Sequence, residues 1–180
     1  MSRLKILTEP NKFLRQIIKP VTVFDAKLTT DVENMLETLR ALPGYGIAAP
    51  QVGIDKRIVV IEAKEAKDEE GNILSEGIPL LILINPIITK YSKEKCEFDE
   101  GCFSVPQYRA EIMRPKKVKV VAQDSGGKNI QINASGILAR VVQHEIDHLD
   151  GILFTDLVSD PKKLVKFEIT DPEWQNAIEG

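Results

Sequence analysis

The spacing of apolar and polar positions marks out a small number of elements. In TDVENMLETLRAL, residues 30–42, Val32, Met35, Leu36 and Leu39 recur at helical spacing, and Thr30 followed by Glu33 has the form of a capping box. This predicts a helix that Pro43 and Gly44 terminate. RIVVIEA from Arg57 and LLILINP ending at Pro86 are short β-branched runs bounded by turn formers, and predict two strands. The polar KEAKDEEGN between them, residues 64–72, predicts an exposed loop.

KVKVVAQD and NIQINA alternate with period two on either side of Ser125, Gly126 and Gly127, which predicts an antiparallel hairpin. From Ser135 the period changes: Ile137, Leu138, Val141, Val142, Ile146 and Leu149 fall on a helical stripe, with Gly151 placed to cap its end. Strands interrupted by a few helices, without a βαβ rhythm, predict an α+β domain in which this last long helix packs on antiparallel sheet. The pattern argues against a doubly wound nucleotide-binding fold.

Composition narrows the class. With 180 residues, no repeat and no low-complexity linker, the chain reads as a single domain over 1–180, its last stretch from about 158 forming a tail. Hydrophobic residues at 43% and charged residues at 28% exclude disordered and fibrous classes. A net charge of −3 gives no general electrostatic reason to bind nucleic acid. The N-terminus MSRLKILTEPNKFLRQ lacks the apolar run of a signal peptide, and no later stretch approaches a membrane span, so a cytoplasmic address and no membrane partner are expected. Two cysteines do not make a disulfide scaffold at this size. Cys96 reads as a small buried hydrophobe, and a Cys96–Cys102 bridge is disfavoured by the cytoplasmic address.

The chain has two histidines, and both lie in QHEIDHLDG, residues 143–151. Four residues apart on a helix, His144 and His148 project from one side and can offer imidazoles to one ion, while Glu145 sits one step round as a general base. The alternative is a decorated surface helix. A catalytic tetrahedral site takes three protein ligands, so a third is required, and Cys102 in EGCFSVP is the candidate because a thiolate binds divalent transition metals strongly. In GYGIAAPQVGI, small residues lead to Gln51, as in a backbone segment that must approach something closely with a side-chain donor aimed at it. A plain helix-to-strand turn would read the same way.

GYGIAAPQ, EGCFS and QHEIDHLDG, in that order, resemble the three signature motifs of the peptide deformylase family, and the likeness extends through ILTEPNKFLRQIIKPV and ARVVQHEIDHLDGILF over roughly residues 4–157. The resemblance implies removal of the formyl group from the N-terminal formyl-methionine of nascent polypeptides, with release of formate. It implies an α+β fold of antiparallel sheets packed around a central HExxH helix. It places the metal ligands on Cys102, His144 and His148, the catalytic carboxylate on Glu145, and the oxyanion donors on the Gln51 side chain and the Phe103 backbone N–H. Gly46 matches the position whose backbone pairs with the peptide, Arg109 matches a substrate-contacting arginine, and Tyr45, Ile137 and Val141 match the lining of the methionine pocket. The resemblance points to Fe2+ as the single metal ion, although a Cys/His/His set also accepts Zn2+, Ni2+ or Co2+.

The chain departs from the family pattern at Ile47 and Phe103, where leucine is more usual, and at Tyr45, where a smaller aliphatic is frequent. Bulk at 45 and 103 is expected to alter side-chain preference and to leave metal binding unchanged. Many bacterial relatives carry a long basic C-terminal helix associated with ribosome contact. Here SDPKKLVKFEITDPEWQNAIEG is short, mixed in charge and interrupted by Pro172, which predicts no continuous helix and either a different ribosome contact or none.

Overall fold

The computed structural model describes residues 3–67, 70, 73–75, 77–170 and 172–179. Helix α1 spans Ala26–Arg40 and begins earlier than the Thr30 capping box implies. Asp25 is the cap instead: its backbone is extended and its carboxylate accepts from the Leu28 N–H at 2.9 Å. Thr30 lies within the helix and donates its hydroxyl to the Ala26 carbonyl. Asp25 and Thr30 are both competent caps, and the helix-favouring Ala-Lys-Leu between them lets the earlier one win.

The remaining elements in chain order are β1 (Gly46–Ala48), β2 (Ile58–Ala63), β3 (Ala66–Lys67), β4 (Ile73–Ser75), β5 (Ile78–Tyr91), β6 (Lys95–Cys102), β7 (Val105–Pro115), β8 (Lys117–Gln123), β9 (Asn129–Ser135), α2 (Gly136–Leu149), β10 (Val165–Lys166) and α3 (Pro172–Glu179). Every pairing is antiparallel. One sheet has the order β1-β2-β5-β8-β9, a second β10-β7-β6, and β3 pairs with β4. The stretch 64–72 is therefore not wholly a loop: Ala66 and Lys67 pair with Ser75 and Ile73, while residues 68, 69, 71 and 72 lie outside those described.

Strand β2 explains the layering. Its successive residues are buried on both faces, Val59 and Ile61 against α2, and Ile58 and Val60 against α1. The two helices thus cover opposite sides of the five-stranded sheet, each offering an apolar stripe: Val32, Met35 and Leu39 from α1, and Ala139, Val142, Ile146 and Leu149 from α2. The other side of α2 meets the β6–β7 hairpin, so the helix is sandwiched and ten of its fourteen residues are buried.

Strand β5 runs through Pro86 rather than ending there. Asn85 adopts φ 53° and the register with β8 slips between Ile84 and Ile87, a bulge that accommodates a residue with no N–H to give the ladder. The Asn85 amide secures it, accepting from the Val21 N–H (2.7 Å) and donating to the Val21 carbonyl (2.8 Å) and to Gln123 Oε1 (2.9 Å). The tail is broken as expected, and Pro172 stands at the first position of α3, where its missing N–H costs nothing. Among the described residues no helix is long and apolar enough to cross a membrane.

Asn85→Ala is expected to lower the unfolding free energy by about 2–3 kcal/mol, because it strands half-buried backbone groups and forces alanine into a left-handed conformation. Urea titration measures this directly; a loss below about 0.5 kcal/mol would show that the bulge does not depend on the amide.

Candidate metal centre

Helix α2 brings His144 and His148 one turn apart, their ring centroids separated by 4.9 Å at 80°. The end of β6 brings Cys102 to them, with Sγ at 3.2 Å from His148 Nε2. One donor atom from each of the three lies within 4.8 Å of the other two, and all three residues are buried. The surface-helix alternative is thereby removed. One sulfur and two imidazole nitrogens converging at this spacing fit a divalent transition metal.

A carboxylate that the motif reading passed over orients the first histidine. Glu100 Oε2 accepts from His144 Nδ1–H at 2.9 Å, which leaves Nε2 for the shared space. Glu100 also accepts from Arg114 Nε (2.7 Å), Arg114 Nη2 (3.0 Å) and Arg140 Nη1 (2.8 Å). Arg114 continues to Asp147 at 2.6 Å, and Arg140 to the Ile112 and Cys96 carbonyls. Burial alone would raise the Glu100 pKa, but hydrogen bonds from His144 and Arg114 hold it at about 2. Burial pulls His144 down, and its bonds to Cys102 and Glu100 outweigh that and carry it well above the ordinary value. Burial and the neighbouring positive charges of His144 and Arg114 hold His148 well below it.

Gln51 lies in the short 3-10 turn Ala49–Val52 and is 1% exposed. Its Oε1 accepts from the Ala48 N–H at 2.8 Å, which fixes the amide so that Nε2 faces Cys102 Sγ at 3.5 Å. The Ser104 N–H also points at the sulfur, at 3.4 Å. Glu145 is buried, and its Oε2 has no hydrogen-bond partner among the described residues. Burial, more than any neighbouring charge, pushes its pKa up to about 7. Gly46 lies directly against it: a Cβ there would come within 2.7 Å of Glu145 Oε1 and 2.9 Å of Val141 Cγ1.

A cavity of about 450 Å3 opens over these groups. Its wall includes Gln51, Cys102, Phe103, His144 and Glu145, and also every residue assigned to substrate by resemblance: Tyr45, Gly46, Arg109, Ile137 and Val141. Tyr45, 42% exposed, stands at the mouth. His148 lies behind the wall. Sequence reasoning missed Glu100, Phe98, Arg140 and Trp174, which also line the cavity. Glu100 had a signal, as a carboxylate two residues before the candidate thiolate. Trp174 had none, since it belongs to the tail. Cys96 is half-buried beside the Arg140 guanidinium rather than a buried hydrophobe. It and Cys102 are both free, at opposite ends of β6, roughly 20 Å apart along an extended strand and far beyond bridging reach.

A buried S/N/N donor set, an unpartnered carboxylate and a cavity between antiparallel sheets define a metal-dependent hydrolase as the class of protein. The sequence profile of the polypeptide deformylases matches residues 3–164, and the chain belongs to that family. The peptide deformylase of Picosynechococcus sp. is 43% identical over 150 residues, 83% of this chain and 76% of that protein. That of Hahella chejuensis is 41% identical over 163 residues, 91% of each. The crystal structure of a peptide deformylase from Legionella pneumophila, 40% identical, matches with a TM-score of 0.76 over 89% of this chain and 88% of that one. The chain is thus a metal-dependent hydrolase that removes the N-formyl group from nascent peptides.

Glu100→Gln leaves two buried guanidinium groups short of a counter-charge and is expected to cost about 3–5 kcal/mol of stability at neutral pH. The native Glu100 pKa is depressed, so its stabilisation is present above the unfolded carboxylate value and lost as pH falls through that value toward about 2. Denaturant titrations of wild type and variant across this window should converge in acid; a gap that stays constant with pH would show that the charge is not what matters.

Proposed function

We propose that Cys102, His144 and His148 hold one divalent metal ion and that Glu145 carries the proton in formamide hydrolysis. The observation that carries this reading is Glu145, buried on the cavity wall beside the donor set, its Oε2 without a hydrogen-bond partner among the described residues and its pKa raised to about 7. When bound, the ion supplies a Lewis acid that makes water nucleophilic near neutral pH. Glu145, whose pKa burial raises, takes a proton from the attacking water and returns it to the departing nitrogen. Water and formamide are thereby converted to formate and a free amine.

As water adds to the carbonyl carbon, negative charge grows on the formyl oxygen. Gln51 Nε2, whose orientation the Ala48 N–H fixes, and the Phe103 backbone N–H are its donors in this proposal. Strand β1 is at the edge of its sheet, so Gly46 can pair with an extended peptide laid alongside, and the absent side chain keeps the approach to Glu145 open. Ile137, Val141 and Tyr45 receive the methionine side chain, and Arg109 contacts the peptide beyond it.

Fe2+ is the ion we assign, a choice that follows the family resemblance and is compatible with a thiolate and two imidazoles, as are Zn2+, Ni2+ and Co2+. We assign the whole of residues 1–180 to one catalytic unit acting in the cytoplasm on formyl-methionine chains. Any ribosome contact made by α3 would use a helix of eight residues with no basic residue in its last turn.

Protein purified without oxygen and loaded with Fe2+ is expected to release formate rapidly from a short formyl-Met peptide and not to deacylate its N-acetyl counterpart. Loss of activity on exchange for Zn2+ supports iron, and equal rates argue against it. Glu145→Gln is expected to retain the metal while losing about 10²–10⁴-fold in kcat. A metal-loaded variant that turns over at the wild-type rate would remove Glu145 from the reaction.

A further inference from the structure

The C-terminal segment, which the motifs leave aside, reaches the site through a continuous run of side chains. Strand β10 adds to the outer edge of β7, pairing Val165 with Arg109 and Lys166 with Tyr108, and the Phe167 N–H donates to the Gln107 carbonyl at 2.9 Å. This lays the Phe167 ring under the Arg109 guanidinium, 4.7 Å from ring centroid to Cζ. Phe167 then meets Trp174 of α3 with ring centroids 5.8 Å apart, and Trp174 meets Phe103 edge-on, also at 5.8 Å, with the planes at 84°. The tip of the Phe103 ring also rests on Gly44, where a Cβ would come within 2.2 Å of Cζ. The Ile6 N–H fastens α3 to the N-terminal segment by donating to the Ala177 carbonyl at 3.2 Å.

We propose that the tail is an aromatic clasp for the active site and that Trp174 is a positioning residue. It presses the Phe103 ring against Gly44 and thereby sets the Phe103 backbone N–H, while Phe167 sets Arg109. Phe103 lies in the turn that joins β6 to β7 and Arg109 lies in β7 opposite Gly101, both on the cavity wall. The inference rests on the proposed role of Phe103 as an oxyanion donor. A ring held at two contacts has few alternative rotamers, and its backbone is restricted with it. Because the contact acts on a donor used as charge develops, it bears on kcat more than on KM.

The test uses the full chain loaded with Fe2+. Trp174→Ala is expected to lose about 3- to 10-fold in kcat on a formyl-Met peptide, with KM changed less than about twofold and metal content unchanged. Trp174→Phe should recover most of the loss. In a Phe103→Leu background, Trp174→Ala should change kcat by less than about twofold, since the partner ring is gone. An unchanged kcat in Trp174→Ala, or an equal loss in both backgrounds, overturns the clasp.

Trp174 is the only tryptophan in the chain, so its emission reports the contact without turnover. A red shift in Phe103→Leu relative to wild type supports the packing, and identical spectra overturn it. If wild-type protein released no formate, the proposed function would fail, and the spectra would still decide whether tail and Phe103 are coupled.

Discussion

A single buried carboxylate holds the site together. Glu100 is 5% exposed, and its two oxygens receive four donors: Arg114 Nε and Arg140 Nη1 on Oε1, Arg114 Nη2 and His144 Nδ1 on Oε2. Its acceptor capacity is filled. Removing this anion would leave Arg114 and Arg140, 5% and 6% exposed, as buried cations without their common partner. The contact also sets a register. Glu100 and Cys102 are two apart on β6 and so share a face, advancing roughly 6.7 Å along the strand. His144 and His148 are four apart on α2, advancing roughly 6 Å. The Glu100–His144 and Cys102–His148 contacts are two rungs of one ladder between strand and helix, and fixing the first delivers the thiol to the second.

The same helix divides its burial between two solvents. Toward the five-stranded sheet it offers Ala139, Val142, Ile146 and Leu149, and toward the hairpin Arg140 and His144. Glu145 falls between these sides, against Gly46, where neither arginine reaches it with a hydrogen bond. Two buried carboxylates on one cavity wall therefore end far apart, Glu100 at about 2 and Glu145 at about 7, because one is saturated with donors and at the other burial outweighs the charges of His144 and Arg114. The first stays ionised and orients a ligand. The second sits where it can exchange a proton at neutral pH.

What could be read from the sequence follows the same division. The stripe from Ser135 to Leu149 was legible because apolar spacing and the two histidines agree on one helix, and the β8–β9 hairpin because its alternation is apolar against polar. Strands β6 and β7 were not, since the inward residues at the site are Glu100, Cys102 and Arg114 rather than aliphatics, and a buried salt bridge does not look like a core in one dimension. The start of α1 and the end of β5 were misread for local reasons. Asp25 competes with Thr30 as a cap, and Pro86 is absorbed by a bulge whose stabilising partner, Val21, is 64 residues from Asn85. The two histidines read from their spacing and the cysteine read from its chemistry converge in space. The contacts that orient them come from the strand next to Cys102 and from the far end of the chain.

The two bulky side chains at 45 and 103 have different surroundings. Tyr45 stands at the cavity mouth, 42% exposed, where a side chain can meet the incoming peptide. Phe103 is 8% exposed and packs with Ile47, Leu42 and the apolar residues of α1 as well as with Trp174. Most of its surface is spent on the protein itself. A ring at 103 needs space and cover; Gly44 gives the space and Trp174 gives the cover. Bulk at 45 is therefore open to the cavity, whereas bulk at 103 is taken up by the protein itself, and the tail and the residue at 103 form one arrangement.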